Sequence, residues 1–167
     1  MNNNSDQIIK LAQEILNIES EEILKVSKNI SNNFSDAVNE ILNCFGRIVV
    51  SGMGKSGHIA RKTASTFAST GTPAFFMHPG EASHGDLGMI TKEDIVIFFS
   101  NSGQSDELIS ILPTIKRIGA RIISISGNAN SELASQSDIH ISAAVTKEAC
   151  PLGLAPTASS SVSLALG

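Results

Sequence analysis

Two short runs of small and polar residues carry the clearest chemical signal in this chain. The first, Ser51-Gly-Met-Gly-Lys-Ser-Gly57, follows an apolar β-type run and precedes a helical one. Gly52 and Gly54 allow a tight turn, and a helix opening there offers unpaired N–H groups and a positive dipole end to an anion. Gly52, Gly54 and Gly57 formally satisfy the G-x-G-x-x-G pattern of dinucleotide sites. The next β run, however, ends at Met77 and His78, where no Asp or Glu waits for a ribose hydroxyl. The run also ends in Gly-Lys-Ser like a triphosphate-binding loop, but the first glycine of such a loop falls on Val49, inside the strand. A bare structural turn needs the glycines and neither Lys55 nor Ser56. Contact with a phosphate or a sugar gives all of them, Gly54, Lys55 and Ser56 included, something to do.

The second run, Ser100-Asn-Ser-Gly-Gln-Ser-Asp-Glu107, again sits after an apolar strand and before a helix. Helix capping would use one serine. Ser100, Ser102 and Ser105, interleaved with Asn101 and Gly103, make a neutral cradle suited to a phosphate monoester. Glu107 lies in the first turn of the following helix, where an acid also stabilises the dipole.

Two further clusters supply candidate acids and bases. In Lys147-Glu-Ala-Cys-Pro-Leu-Gly-Leu-Ala-Pro-Thr157 the neighbours of Glu148 are mostly apolar. Such a setting is expected to raise its pKa toward the range useful for moving a proton on carbon; a solvated glutamate paired with Lys147 is the plainer alternative. The loop Met77-His-Pro-Gly-Glu-Ala-Ser-His-Gly-Asp-Leu-Gly88 gathers His78, Glu81, His84 and Asp86. Their spacing matches no familiar zinc pattern. A substrate-lining loop with His84 as its key residue is the preferred reading, and neither metal nor cofactor is expected. His58 reads as a surface helix residue and His140 as a structural one.

These runs need elements to hold them. From residue 46 onward, β-type runs at Arg47–Ser51, Pro73–Met77, Ile95–Ser100, Arg121–Ser126 and Asp138–Ile141 alternate with helical stretches at Gly57–Thr70, Ser105–Ile118 and Ser131–Ala134. The inner runs are Val, Ile and Phe without polar alternation, as in strands buried on both faces. The pattern predicts an α/β fold, a doubly wound parallel sheet with helices on both sides; with the order 2-1-3-4-5, the first and third strands are neighbours. Ligands of such sheets bind beyond the strands' carboxyl ends at the switch point, so the two polar runs should face one crevice. Ahead of this, residues 1–45 predict a helical leader: Ile8, Leu11, Ile15, Ile18, Ile23, Val26 and Ile30 share one stripe. A second helix is expected with Ser35 as N-cap and Val38, Ile41, Leu42 and Phe45 facing inward. The leader's stripe suits either its own domain or a partner subunit. Residues 46–167 are expected to form one ligand-binding domain, with a closing helix from about Thr157 that runs barely two turns.

Composition narrows the class. The chain has 167 residues, a formal charge of −4 and 17% charged residues. One domain fits that length, and no basic face exists for nucleic acid. Cys44 and Cys150 have no metal-like spacing and fit reduced thiols. The start lacks the features of a signal peptide and no apolar run reaches membrane length, so a cytoplasmic protein off the membrane is expected.

The motifs Gly-Met-Gly-Lys-Ser-Gly-His, His-Pro-Gly-Glu-Ala-Ser-His-Gly-Asp-Leu-Gly, Ser-Asn-Ser-Gly-Gln-Ser-Asp-Glu and Lys-Glu-Ala-Cys-Pro-Leu-Gly-Leu-Ala-Pro-Thr resemble the sugar isomerase (SIS) domain, and within it the arabinose-5-phosphate isomerases. The Ser-x-Ser-Gly loop marks the broad domain; the Lys-Glu-Ala-Cys run is more specific. The resemblance implies a five-stranded parallel sheet in homotetramers with active sites between subunits. It implies aldose–ketose interconversion of D-ribulose 5-phosphate and D-arabinose 5-phosphate, feeding Kdo and lipopolysaccharide synthesis. By that similarity Ser100, Ser102 and Ser105 hold the phosphate with Ser56 nearby, and Lys55, Glu107 and Glu148 are catalytic. Family members also carry a downstream Ser-His-Pro-Gly-Gly motif and often paired CBS modules, which this sequence does not contain. A non-catalytic phosphosugar-sensing module is the alternative; it would keep the serine cradle and need neither Glu148 nor Lys55.

Overall fold

The computed structural model describes residues 2–167. Five parallel strands, β1 (Ile48–Gly52), β2 (Ala74–Met77), β3 (Ile95–Phe99), β4 (Arg121–Ser126) and β5 (Ile139–Ser142), pair in the order β2-β1-β3-β4-β5. The register Ile48↔Ile95 through Gly52↔Phe99 lines up the carboxyl ends of β1 and β3. Strand residues alternate between faces. Ile48, Val50, Ile95, Ile97, Phe99, Ile123 and Ile125 join the core on one face. Val49, Val96, Phe98 and Ile122 join the other. Both faces are covered, so β1 and β3 carry no polar alternation and are buried throughout.

The helices α1 (Asn2–Lys28), α2 (Asn32–Leu42), α3 (Gly54–Ser69) and α7 (Ala158–Leu166) lie on the first face, contributing Val26, Ala37, Ile59, Ala60, Ala64 and Val162. The second face holds α4 (Pro79–Ser83), α5 (Asp106–Ile118) and α6 (Glu132–Gln136), with Ala82, Leu108, Ile111, Leu112, Ile115 and Leu133. A single 3₁₀ turn, Asp86–Met89, follows α4. Cys44 and Cys150 are free thiols. Among the described residues no helix is long and apolar enough to cross a membrane.

Two features of the leader and one of the first strand–helix turn differ from the sequence expectation. The N-cap position of α2 is Ser31, not Ser35, whose Oγ instead donates to the Asn32 carbonyl at 2.7 Å within the helix. A serine inside a first turn bonds backward to the chain as readily as it caps. That shift rotates the buried stripe: Ala37 is buried and Ile41 half-buried, whereas Leu42 is 77% and Phe45 97% exposed. The third difference is that α3 opens at Gly54 rather than Gly57, which puts Lys55 and Ser56 in the first turn of the helix.

Candidate active site

The turn from β1 into α3 is set by close backbone packing. A Cβ on Gly57 would come within 2.7 Å of the Gly52 carbonyl, and one on Gly52 within 2.9 Å of the Ser56 carbonyl. Only glycine lets the helix start so near the strand end. Ser51, fully buried near the end of the strand, donates its Oγ to the Met77 carbonyl at 2.7 Å and ties β1 to β2. The result projects Lys55 and Ser56 forward from the helix N-terminus.

The β3–α5 turn is built by its own serines. The Gly103 N–H donates to Ser100 Oγ at 3.1 Å, and the Gln104 N–H to Ser102 Oγ at 3.2 Å. Ser100 Oγ also lies 3.3 Å from Ser105 Oγ. Gly103 adopts φ +65°, and a Cβ there would collide with Ser131 Oγ behind it. Ser105 occupies the N-cap position of α5 without a side-chain capping bond, so its hydroxyl stays available to a ligand.

These two turns share one crevice of about 320 Å³. Lys55 and Ser56 line it from α3, and Ser100, Asn101, Ser102 and Ser105 from the facing turn, with Met53, Phe99 and Pro156 completing the wall. Its volume is that of a small-molecule site. Lys55 is the one cation in the lining, and no carboxylate lines it among the described residues. Two helix N-termini add partial positive charge. The arrangement is built for an anion. Gly54 (φ +53°) and Gly103 shape the turns without lining the crevice.

Beyond these two glycines, three further sequence candidates stand outside that lining. Glu107 is exposed in the first turn of α5. His84 is exposed at the C-cap of α4, while His78 Nδ1 accepts from the Gly80 N–H at 3.1 Å and caps the same helix. No three His, Cys, Asp or Glu side chains among the described residues group as metal ligands. Glu148 lies half-buried, and its surroundings correct the apolar expectation. Burial disfavours its charge, but hydrogen bonds from Ser159 and Thr157 outweigh burial and hold the carboxyl below the usual glutamate range. Its Oε2 accepts from the Thr157 N–H at 2.7 Å, Thr157 Oγ1 at 2.8 Å and the Ser159 N–H at 3.3 Å. The apolar neighbours in sequence turn away: Leu152 and Leu154 are 77% and 82% exposed. Glu148 thus sits ionised at the N-terminus of α7, next to Pro156 on the crevice wall.

Sequence reasoning missed Met53, Phe99 and Pro156 as wall residues and Thr157 and Ser159 as the carboxylate's donors. Pro156 and Thr157 close the Lys-Glu-Ala-Cys run, so their place in that motif was the available signal. The SIS domain family model matches residues 41–167. The chain belongs to the SIS domain family. This SIS domain is 51% identical over 155 residues to the arabinose 5-phosphate isomerase KdsD of Salmonella typhi, covering 93% of this chain and 47% of that protein. With the arabinose 5-phosphate isomerase KdsD of Pseudomonas aeruginosa it shares 49% identity over 167 residues, 100% of this chain and 51% of that protein. The chain spans about half the length of these curated relatives. Among solved structures, the SIS domain superposes on the c3406 protein of E. coli CFT073, solved in complex with arabinose 5-phosphate, with a TM-score of 0.93 and 43% identity, covering 99% of this chain and 87% of that one.

Proposed function

We propose that this chain carries the phosphosugar site of an intramolecular aldose–ketose isomerase that interconverts D-ribulose 5-phosphate and D-arabinose 5-phosphate. The observation that carries this reading is the single crevice in which the serine turn after β3 meets Lys55 and Ser56 after β1. The identity to relatives named arabinose 5-phosphate isomerase KdsD supports the choice of sugar. The phosphate monoester rests on Ser100, Ser102 and Ser105 and on the amides around Asn101 and Gly103, with Ser56 opposite. Lys55 faces the oxygen that becomes negative. Glu148, ionised and with Oε1 free of hydrogen bonds among the described residues, takes the proton from the carbon beside the carbonyl. The cis-enediolate is then protonated on the neighbouring carbon, and Glu107 exchanges hydroxyl protons. His84 contacts the sugar end of the ligand. The chemistry asks for no metal or cofactor. The setting in this reading is a cytoplasmic homotetramer supplying Kdo for lipopolysaccharide, and the exposed apolar side chains of the leader, among them Leu16 and Leu24, support assembly.

Incubating the protein with ribulose 5-phosphate in heavy water tests the reading. Deuterium on the carbon next to the carbonyl of recovered arabinose 5-phosphate is the expected result. Saturable binding of the sugar phosphate without exchange would instead mark a sensing module. That second reading draws on the position of Glu107 and Glu148 outside the crevice lining.

A further inference from the structure

Among the described residues of α1, Glu22 is the one ionised side chain wholly removed from solvent. Both of its oxygens are occupied. Oε1 accepts from Lys25 Nζ at 2.6 Å and from Thr146 Oγ1 at 2.6 Å, and Oε2 accepts from the Thr146 N–H at 2.7 Å. Lys25 Nζ closes the ring by donating to Thr146 Oγ1 at 2.9 Å. Two neighbouring acids of the same helix reach the same region: Glu21 pairs with Lys147 at 3.6 Å, and Glu19 accepts from Ser161 Oγ on α7. The middle of α1 is therefore bonded to the start of the segment that carries Glu148 and to α7, the helix that follows it. That segment begins at Thr146, four residues beyond the end of β5, runs through exposed residues around Pro151–Ala155, and returns at Thr157, where Glu148 is bound. Within it, the Ala149 N–H donates to Thr157 Oγ1 at 2.7 Å, so the two strands of the loop are laced together.

Stability alone does not call for this arrangement. A buried charge is frequently replaceable by apolar side chains of similar volume without loss of stability. What an apolar residue cannot do is hold one residue's amide and hydroxyl at once, and so fix the direction in which the chain runs from Thr146 into Glu148. We propose that Glu22 is a positioning residue: by gripping Thr146, it sets where the carboxylate of Glu148 stands relative to the serine cradle. This rests on the reading of Glu148 as the group that moves the proton. Glu22 does not touch the sugar; it acts only through the segment 146–148.

Two variants of the full chain, Glu22→Gln and Thr146→Val, test this, with folding verified by circular dichroism. In the isomerase assay, Glu22→Gln is expected to lower kcat about tenfold with KM for arabinose 5-phosphate within about twofold, since displacement of a reacting group by a fraction of an ångström acts on turnover. Thr146→Val, which keeps the amide and removes the hydroxyl, should show the same split by a smaller factor. The double variant should be no worse than Glu22→Gln, because both changes cut one link. A second readout needs no turnover: the pH titration of the Thr157 amide signal in NMR spectra, which reports Glu148 through their hydrogen bond. Its midpoint is expected to rise in both variants, as the carboxylate loses the hydrogen bonds that hold it down. An unchanged kcat in a folded variant, or a Thr157 midpoint that stays at the wild-type value, overturns the proposal. If the wild-type chain itself fails to exchange deuterium, the isomerase reading falls, and the Thr157 titration alone decides whether Glu22 places Glu148.

Discussion

Each serine of the β3–α5 turn has its own task, and the tasks separate by hydrogen bonding. Ser100 and Ser102 receive backbone N–H groups and fold the turn, whereas Ser105 leaves its hydroxyl without a capping bond. Ser105→Ala is therefore expected to weaken arabinose 5-phosphate binding about tenfold, at the scale of one lost hydrogen bond to a charged group, with little change in Tm. Ser100→Ala should lower both. Calorimetric titration beside thermal melting distinguishes the two. Gly103→Ala combines left-handed backbone with a collision against Ser131, and should cost about 2 kcal/mol of stability together with most phosphate affinity; urea unfolding measures the first. For Glu148, replacement by Gln should reduce kcat by roughly two orders of magnitude while leaving binding largely intact. The hydrogen bonds that depress its pKa also fix the sign of its pH dependence. With Glu148 as the proposed base, activity is expected to stay level across neutral pH and to drop only as pH falls below the ordinary glutamate range. The serine turn was legible in the sequence because its residues act where they stand in the chain. The environment of Glu148 was not, because its donors arrive from Thr157 and Ser159, after a loop whose leucines point to solvent.

At the scale of elements, a segment's character was readable wherever its own residues decide it. The inner strands β1 and β3 were readable since burial on two faces leaves them without polar alternation, and the observed β1 to β5 lie within a residue or so of the expected runs. The start of α2 was not, because Ser31 and Ser35 are both acceptable openings and only packing of Ala37 against the core selects between them. The early start of α3 was hidden for a different reason: Gly54 and Gly57 look like loop residues, yet the second is inside the helix because the strand leaves no room for a Cβ. The tie between α1 and the segment after β5 joins residues far apart in sequence, and nothing local announces it. Its carboxylate is held at about 2, against an ordinary 4.5; burial opposes the charge, and the bonds from Lys25 and Thr146 outweigh it. A depressed carboxyl stabilises the fold above its unfolded pKa and loses that contribution as pH falls through the folded value. The stability gap between wild type and Glu22→Gln should therefore be full at neutral pH and close as pH falls from 4.5 to about 2. A gap of about 2 kcal/mol is expected at neutral pH, less than the full shift implies because Lys25 is half in solvent. Denaturant melts over that pH range check it.

For the whole molecule, the arrangement that matters is the neighbouring of β1 and β3 in a sheet of order β2-β1-β3-β4-β5. It brings turns about fifty residues apart in the chain to one crevice. Alternation of strand and helix was enough to anticipate a parallel sheet covered on both faces; the order itself is one of two common to such sheets and came with the resemblance to the SIS domain. The face presented by the leader is the part that alternation does not address. Leu16 and Leu24 on α1 are 67% and 59% exposed, and apolar area of that kind marks contact surfaces. Sedimentation of the protein should give a species larger than the monomer, and Leu16→Glu with Leu24→Glu should shift it to lower mass.

The same strand order has a consequence for how the chain comes off the ribosome. β1 is complete at Gly52, but its partner on one side, β3, begins only at Ile95. While the intervening residues are being added, an apolar strand waits with one edge unpaired, open to any extended segment nearby. Until Ile95–Phe99 have been made, that edge is a place where off-path pairing can begin.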